Sequence, residues 1–514
     1  MQNEYKPTQK DTVTENVIAE CIEDFILPDY MPEIQRILRL ETQLLQGDNF
    51  VNGGKADFEG VVLYTLFYTD NEEKLTAVPL ESRYHYEIPV GERVPLFVYS
   101  TESTEGVSLR PSGPRRLSIR TKIRATVHAV SEEPLQKDVC ALLPEECGEI
   151  EYLMKKTDIL TSVFCRSELS EVSADFTLES KDAITVRPLY AAADVLTERA
   201  SAENGHILFH AVCCMKVILD ASGEILTLSR RVPFEDAMIT DCREGDSVLA
   251  CPTCHSTSVS VEQNGEDTMI SVKVTCSFDA TVRRNTEAIV LCDLFSDKKR
   301  LAVSHAPLRT FALKDAFMGN FTVEAECAME DATVPLSSVF LKDAQLSWEG
   351  KRAVISGECR AELLCYGKEE GDENTHFYAK DFTFPFRIEA DTPSGAFSSD
   401  KKNFRLIPSA SEMVVQNGKG HLSSEFTLCL YATRESAFNV PDTITAHEKE
   451  ERDASLLSIY YPKDSDSLWS VGKAYGIPCK RLAAQNGISL DEDTALDDQK
   501  TLDGMAWVFA SSIS

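Results

Sequence analysis

LFHAVCCMKVI, Leu208 to Ile218, is the stretch whose reading decides the fold. It is an apolar run that follows a turn and reads as a strand. Two other stretches repeat it, FEGVVLYTLFY at Phe58 to Tyr68 and ISGECRAELLCY at Ile355 to Tyr366, at offsets of about 150 residues. Upstream of each lies an apolar stretch beginning at Ile34, Ile184 and Val334, and downstream a second strand ends in an aromatic residue, Tyr86, Phe234 and Phe386. Polar turns separate the paired strands: Thr69 to Lys74, Asp220 to Glu224 and Gly367 to Asn374. Such turns suit antiparallel hairpins. Each unit closes with an alternating strand, Leu117 to Val130, Met269 to Val282 and His421 to Thr433. Period-two alternation marks strands with one buried face. The expected fold is mainly β: three tandem antiparallel sandwich-like domains at 11–150, 151–298 and 299–450, with a further unit after them.

Composition agrees with a folded chain. At 514 residues several domains are needed, and 43% apolar with 26% charged residues is ordinary for globular protein. The 52 Lys and Arg against 83 Asp and Glu leave −31, which opposes nucleic acid and anionic membrane as partners and favours a basic protein surface. No apolar run is long enough to span a bilayer, and the first residues carry no secretory pattern, so the chain is expected to stay where it is made. Its 16 cysteines, among them Cys213, Cys214, Cys276, Cys359, Cys365 and Cys429 inside strands, are then reduced and mostly buried as small apolar groups.

One segment reads two ways. Pro28 to Leu45 places Ile34, Ile37, Leu38 and Leu45 on one helical face, but Glu41 interrupts the stripe. By analogy with the other repeats, Ile37 to Leu45 is instead the first extended segment.

From Tyr460 the period becomes helical. Leu468, Val471, Gly472 and Tyr475 share a face, Ser465 or Asp466 is placed to cap, and Gly476 supplies a left-handed stop. A second helix starts at Pro478, turns Leu482 and Ala483 inward and ends at Asn486-Gly487. With short strands before and after, the order is βααβ over 455–514.

Tyr461, Asp466, Ser467, Leu468, Trp469, Val471, Tyr475, Gly476, Leu482 and Asn486 make this module similar to the LysM family. That resemblance implies glycan binding in the groove between the first turn and the loop after the second helix. The sequence departs from the pattern at Ser465, at the acidic Asp491, Glu492 and Asp493, and at Asp498. Upstream, the tripled strand pattern resembles the spore-coat-associated SPOCS domain. Three such domains and a terminal LysM-like module are similar to the clostridial SipL-type spore coat morphogenetic proteins. This resemblance implies a non-enzymatic scaffold in the mother-cell cytoplasm at the forespore surface. Its partners would be a SpoIVA-like coat-nucleating ATPase and other coat proteins, with peptidoglycan binding as the alternative function. The implied partner-binding residues are Ser465, Asp466, Ser467, Leu468, Trp469, Tyr475, Asn486 and Ile488.

No catalytic residue, cofactor or metal is expected. CPTCH at Cys251 to His255 has the spacing of a c-type haem attachment and half a zinc site, yet export or two further ligands would be required, and a strand-edge turn is the better reading. HEKEE at His447 is not HExxH, and Gly53-Gly54-Lys55 lacks the rest of a phosphate loop. On this reading each β unit buries its own core, and no deep polar cavity crosses the boundaries between units.

Overall fold

A computed structural model of the chain describes residues 8–90, 97–138, 142–143, 147–179, 186–264, 267–329, 332–350, 352–369, 374–391, 401–448, 458–463, 466–490, 502, 505 and 507–510. In the first set of strands are β1 (Thr8–Ile26), β2 (Arg36–Asn52), β3 (Lys55–Thr69), β4 (Leu75–Pro89), β5 (Phe97–Gly113) and β6 (Arg116–Pro134). The second set comprises β7 (Ile150–Arg166), β8 (Ser170–Glu179), β9 (Val186–Glu203), β10 (His206–Ala221), β11 (Glu224–Ile239), β12 (Ser247–Asn264) and β13 (Asp267–Ser296). In the third are β14 (Lys299–Ala328), β15 (Ala332–Glu349), β16 (Arg352–Lys368), β17 (Thr375–Asp391), β18 (Lys401–Gln416) and β19 (Lys419–Glu448). The chain then runs through β20 (Ser458–Tyr460), α1 (Leu468–Tyr475), α2 (Cys479–Gln485) and β21 (Val508–Ala510).

The protein is therefore mainly β, and its sheets are antiparallel. Each set makes two sheets: β1-β6-β5 with β2-β3-β4, β12-β13-β7 with β11-β10-β9, and β14-β19-β18 with β15-β16-β17. The two strands most legible in each repeat, β3 and β6 in the first, are the middle strands of their sheets. A middle strand is hydrogen-bonded on both edges and packed on at least one face, so its side-chain pattern is the most constrained. In the second set β13 is long enough to take β7 along one half and β8 along the other.

Between the sheets of each set lies a separate apolar core. Tyr64 and Leu66 face Ile119 and Ile123 in the first. In the second, the Phe209 ring stacks on Phe278 with centroids 4.4 Å apart. The third closes Leu363 and Phe386 on Phe426 and Leu428.

A further apolar cluster belongs to no single set. Phe67, Ile218 and Leu364 meet there fully buried, with Leu38, Leu75, Leu336 and Phe377 beside them. Each of the three central residues is the thirteenth of its strand, counted from Lys55, His206 and Arg352. The three sets thus meet through equivalent positions, as an approximate threefold arrangement. Alternation along β3 turns Tyr64, Leu66 and Tyr68 toward the set's own core, so Phe67 faces the other way. This two-sided burial explains why the alternation is lost at LFY, VIL and LLC at the ends of these strands. Polar contacts bridge all three junctions. Arg166 Nη2 donates to Gln46 at 2.8 Å, Arg231 pairs with Glu425 at 2.9 and 3.2 Å, and Arg39 Nη1 donates to the Glu362 carbonyl at 2.5 Å.

Several local expectations resolve here. Ile37 to Leu45 is extended, within β2, because every residue from Glu41 to Gln46 pairs with β3. Gly53 and Gly54, at φ 57° and 79°, make the β2–β3 turn. CPTCH is not a turn: it lies inside β12, with a register shift between Cys254 and Ser256 that leaves His255 bulged. Pro252 is tolerated because β12 is an edge strand. The aromatic equivalence is also off by one alternation step. Phe386 lies opposite Gly357 and Phe234 opposite Ala211, each the sixth residue of its strand, and the residue opposite the sixth residue of β3, Gly60, is Tyr84 rather than Tyr86.

Candidate functional site

Two features carry side chains suited to recognition: the module after Ser458 and a cavity among the three strand sets.

In the module, Leu468, Val471, Leu482, Val508 and Ala510 form a small core. Ser467 caps α1, its Oγ accepting from Ser470 N at 3.1 Å while Ser470 Oγ accepts from Ser467 N at 2.9 Å. Gly476, at φ 67°, ends the helix in the left-handed region that a glycine enters without strain. Asp466 accepts from the Tyr460 hydroxyl at 2.6 Å and from Lys463 N at 2.8 Å, and the tyrosine bond chiefly holds its carboxyl below the usual range. Asn486 ties α2 to β21, accepting from Phe509 N at 2.7 Å and donating to the carbonyls of Phe509 and Leu482 at 2.9 and 2.8 Å.

Most of the expected partner-binding residues are thereby occupied inside the chain. Ser467 and Leu468 are buried. Tyr475 and Ile488 pack against the module core, and Ser465 and the acidic 491–493 segment lie outside the described residues. Trp469 is 9% exposed because it packs on Phe295 and Leu153 of the second strand set. Its indole is thus used within the chain, not held free for a partner. β20 and β21 pair antiparallel, with Ile459 opposite Phe509. Tyr460 and Val508 turn into the core, so alternation sends Ile459, Tyr461 and Trp507 outward, at 47%, 69% and 46% exposure. Trp507 meets the Phe509 ring edge-on at 4.5 Å. Alternation in SIYY and WVFA is the signal that marks this face.

The second feature is a cavity of about 1700 Å³ lined by residues of all three sets. The expectation that no polar cavity crosses the unit boundaries is overturned by it. The apolar cluster around Phe67 seals one junction of the three sets, while their polar strand faces meet around open space. Most of its charges are answered. Arg166 grips Asp279 at 2.6 and 3.0 Å, and Glu102 accepts from Tyr86 at 2.6 Å and from Ser100 at 3.1 Å. Lys216 donates to the Ser411 carbonyl at 3.3 Å, and burial pulls its ammonium below the usual value. Burial raises the Asp194 carboxyl to about 6, with Lys216 opposing.

Cys251 and Cys254 both line this cavity, as does His255, which shares a 2.8 Å hydrogen bond with Ser277 Oγ. They do not converge as metal ligands. Among the described residues the one trio whose ligand atoms come within 4.8 Å of one another is Asp57, His85 and Glu87, where Glu87 already pairs with Lys55. The Cys251 sulfur accepts from Arg405 Nη1 at 3.6 Å. A hydrogen bond from Cys429, aided by Arg405 and Arg283, brings the Cys251 thiol down to about 6. Cys429, the donor, is held well above its ordinary value. The core thiols behave otherwise: burial pushes Cys213, Cys276 and Cys359 up to about 12.

No family model, no curated protein and no solved structure matches this chain. No helix among the described residues is long and apolar enough to cross a membrane.

Proposed function

We propose that the chain is a non-enzymatic assembly scaffold of the spore coat type, built of three SPOCS-like domains at 11–150, 151–298 and 299–450 and a LysM-like module at 455–514. In this reading the module docks a SpoIVA-like coat-nucleating ATPase, and the β domains offer further contact surface to other coat proteins at the forespore. Three separate apolar cores, one per repeat, support the domain division. The observation that carries the docking assignment is the exposed Ile459, Tyr461 and Trp507 face of a module whose other tryptophan, Trp469, is consumed in fixing it to the second domain. Large aromatics free on one side and braced on the other are the usual anchors of protein interfaces. The formal charge of −31 favours a partner with a basic surface around that anchor.

Co-precipitation of the ATPase with the full chain tests this reading, comparing wild type with Tyr461→Ser/Trp507→Ser. Retention lost in the double variant at unchanged melting temperature supports it. Undiminished retention places the docking surface elsewhere, and co-sedimentation of the wild type with purified peptidoglycan favours the glycan-binding alternative.

A further inference from the structure

We propose that the cavity among the three domains is a binding site for a small oxyanion, a carboxylate or phosphate group held between Arg283 and Arg405. The inference does not depend on where the coat partner docks.

Its starting point is a charge without an answer. This chain has 83 acidic side chains against 52 basic ones, so carboxylates are plentiful for any cation that needs one. The neighbouring cavity cations have acceptors: Arg166 has Asp279, Arg231 has Glu425 and Lys216 has a carbonyl. Among the described residues no carboxylate forms an ion pair with Arg283 or Arg405. Arg283 Nη1 is buried with no hydrogen-bond partner. A buried donor left without an acceptor costs about 1–3 kcal/mol, more when charged, so such groups in folded proteins call for an absent acceptor.

Geometry points both guanidinium groups toward a ligand. Arg283 lies over the Tyr431 ring with its guanidinium carbon 3.8 Å from the centroid. That contact uses the flat face of the group and leaves the in-plane N–H donors, the ones that grip two-oxygen anions, available. Arg405, on β18, opens into the same cavity and reaches across to Cys251 of β12. The pair therefore spans the second and third domains.

The surroundings already favour negative charge. The Cys251 thiol, which accepts from Arg405, is pulled down to about 6. Asp279 is committed to Arg166, and His128 is held below its usual value by burial and by the two arginines, so it stays neutral near pH 7. Guanidinium forks match carboxylate and phosphate better than chloride, because planar donors meet paired oxygens. The remaining volume exceeds what a bare ion fills and lies within reach of a small organic molecule. The Tyr99 and Phe164 rings, stacked at 4.4 Å on the same wall, offer its body an aromatic surface.

The test uses the purified full chain with inorganic phosphate and with succinate, each against chloride at equal ionic strength. Two readouts are taken: the melting temperature, and the alkylation rate of Cys251 by iodoacetamide followed by peptide mass spectrometry. The proposal expects a saturable rise in melting temperature with at least one oxyanion and an alkylation rate lowered severalfold at saturation, because the anion sits over the thiolate and competes for Arg405. Which anion acts separates the phosphate and carboxylate sources. Arg405→Gln and Arg283→Gln should each weaken that binding about tenfold, the loss of one charge-assisted contact. Should Arg283→Gln fail to fold, Arg405→Gln decides alone, since its side chain is open to the cavity. A wild type that responds to neither oxyanion beyond chloride overturns the proposal, as does unchanged affinity in the folded variants.

Discussion

Trp469 donates its indole N–H to Oδ2 of Asp293, 3.1 Å away and 176 residues earlier in the chain. The same carboxylate receives Lys473 Nζ at 2.7 and 2.6 Å. Two positions further along β13, the Phe295 ring meets the indole edge-on at 5.0 Å. Residues two apart on a strand share a face, and residues four apart on a helix do the same, so one face of β13 and one face of α1 make a matched joint. Asp293 and the Phe295 ring beside it thus join the small module to the second strand set. Gly472 of α1 is required inside the module, where a Cβ would stand 2.8 Å from the Ile477 carbonyl, whereas at 3.6 Å it would make only ordinary contact with the Phe295 ring.

Asp293→Ala removes the acceptor of both donors and leaves the indole N–H facing protein. The expected loss is about 1–3 kcal/mol, concentrated at the joint. Hydrogen exchange of α1 amides should accelerate about tenfold or more, while amides of the β19 core keep their protection. Equal protection of α1 in the variant and the wild type would show that the joint does not hold the module.

The meeting of the three strand sets at Phe67, Ile218 and Leu364 makes a second prediction. Each is fully buried in a cluster that belongs to no single strand set. Phe67→Ala should cost about 3–5 kcal/mol and Leu364→Ala about 2–5, as for core truncations that leave a cavity. Because the residues share one cluster, the double variant should cost measurably more or less than the sum. Denaturant titration reads both effects. A loss below 1 kcal/mol for Phe67→Ala would mean that the strand sets are joined elsewhere.

The middle strands and the order of repeats are legible in the sequence because burial on the core face imposes alternation from neighbouring residues alone. The extended state of Ile37 to Leu45 is visible only by analogy with the other repeats, since its own apolar spacing also fits a helix. Tyr84 and Tyr86 are both buried and lie on the same face of β4, so the sequence cannot say which stands opposite Gly60; register does. The partners of Trp469 and the meeting of Arg283 and Arg405 in one cavity leave no local trace. Asp293 lies 176 residues from Trp469, and Arg283 and Arg405 sit in different repeats with nothing in their neighbours to link them.

Gly357 tests the register directly. A Cβ at this position would lie 2.2 Å from the Asp343 carbonyl oxygen, at the point where the β15–β16 register shifts. Backbone cannot yield there as a flexible side chain would, so Gly357→Ala should destabilise by about 1–3 kcal/mol or more through overpacking. Gly106→Ala is the control, because nothing lies within 4 Å of its Cβ position. Thermal denaturation of the pair should separate them clearly. Equal midpoints would show that the bulge opposite Gly357 relaxes at no cost.

Asp194 gives the pH dependence its sign. Its carboxyl is raised from 3.8 to about 6, first by burial and also by Glu41, with Lys216 opposing. The folded protein therefore keeps this proton to a higher pH than the unfolded chain does. Stability linked to the group is fully present below the unfolded value, falls as pH rises from about 4 to about 6, and stays low above that. The side chain faces the cavity, where water screens its charge, so the size of the effect is smaller than the shift alone suggests. Asp194→Asn mimics the neutral form at every pH. Relative to wild type it should be equal in stability near pH 4 and more stable above pH 6, with the difference opening between those values in denaturant titrations. An offset that stays flat from pH 4 to pH 7 would mean that Asp194 ionises in the folded protein as freely as it does in the unfolded chain, and a variant that loses stability relative to wild type as the pH rises would mean that it ionises more readily there.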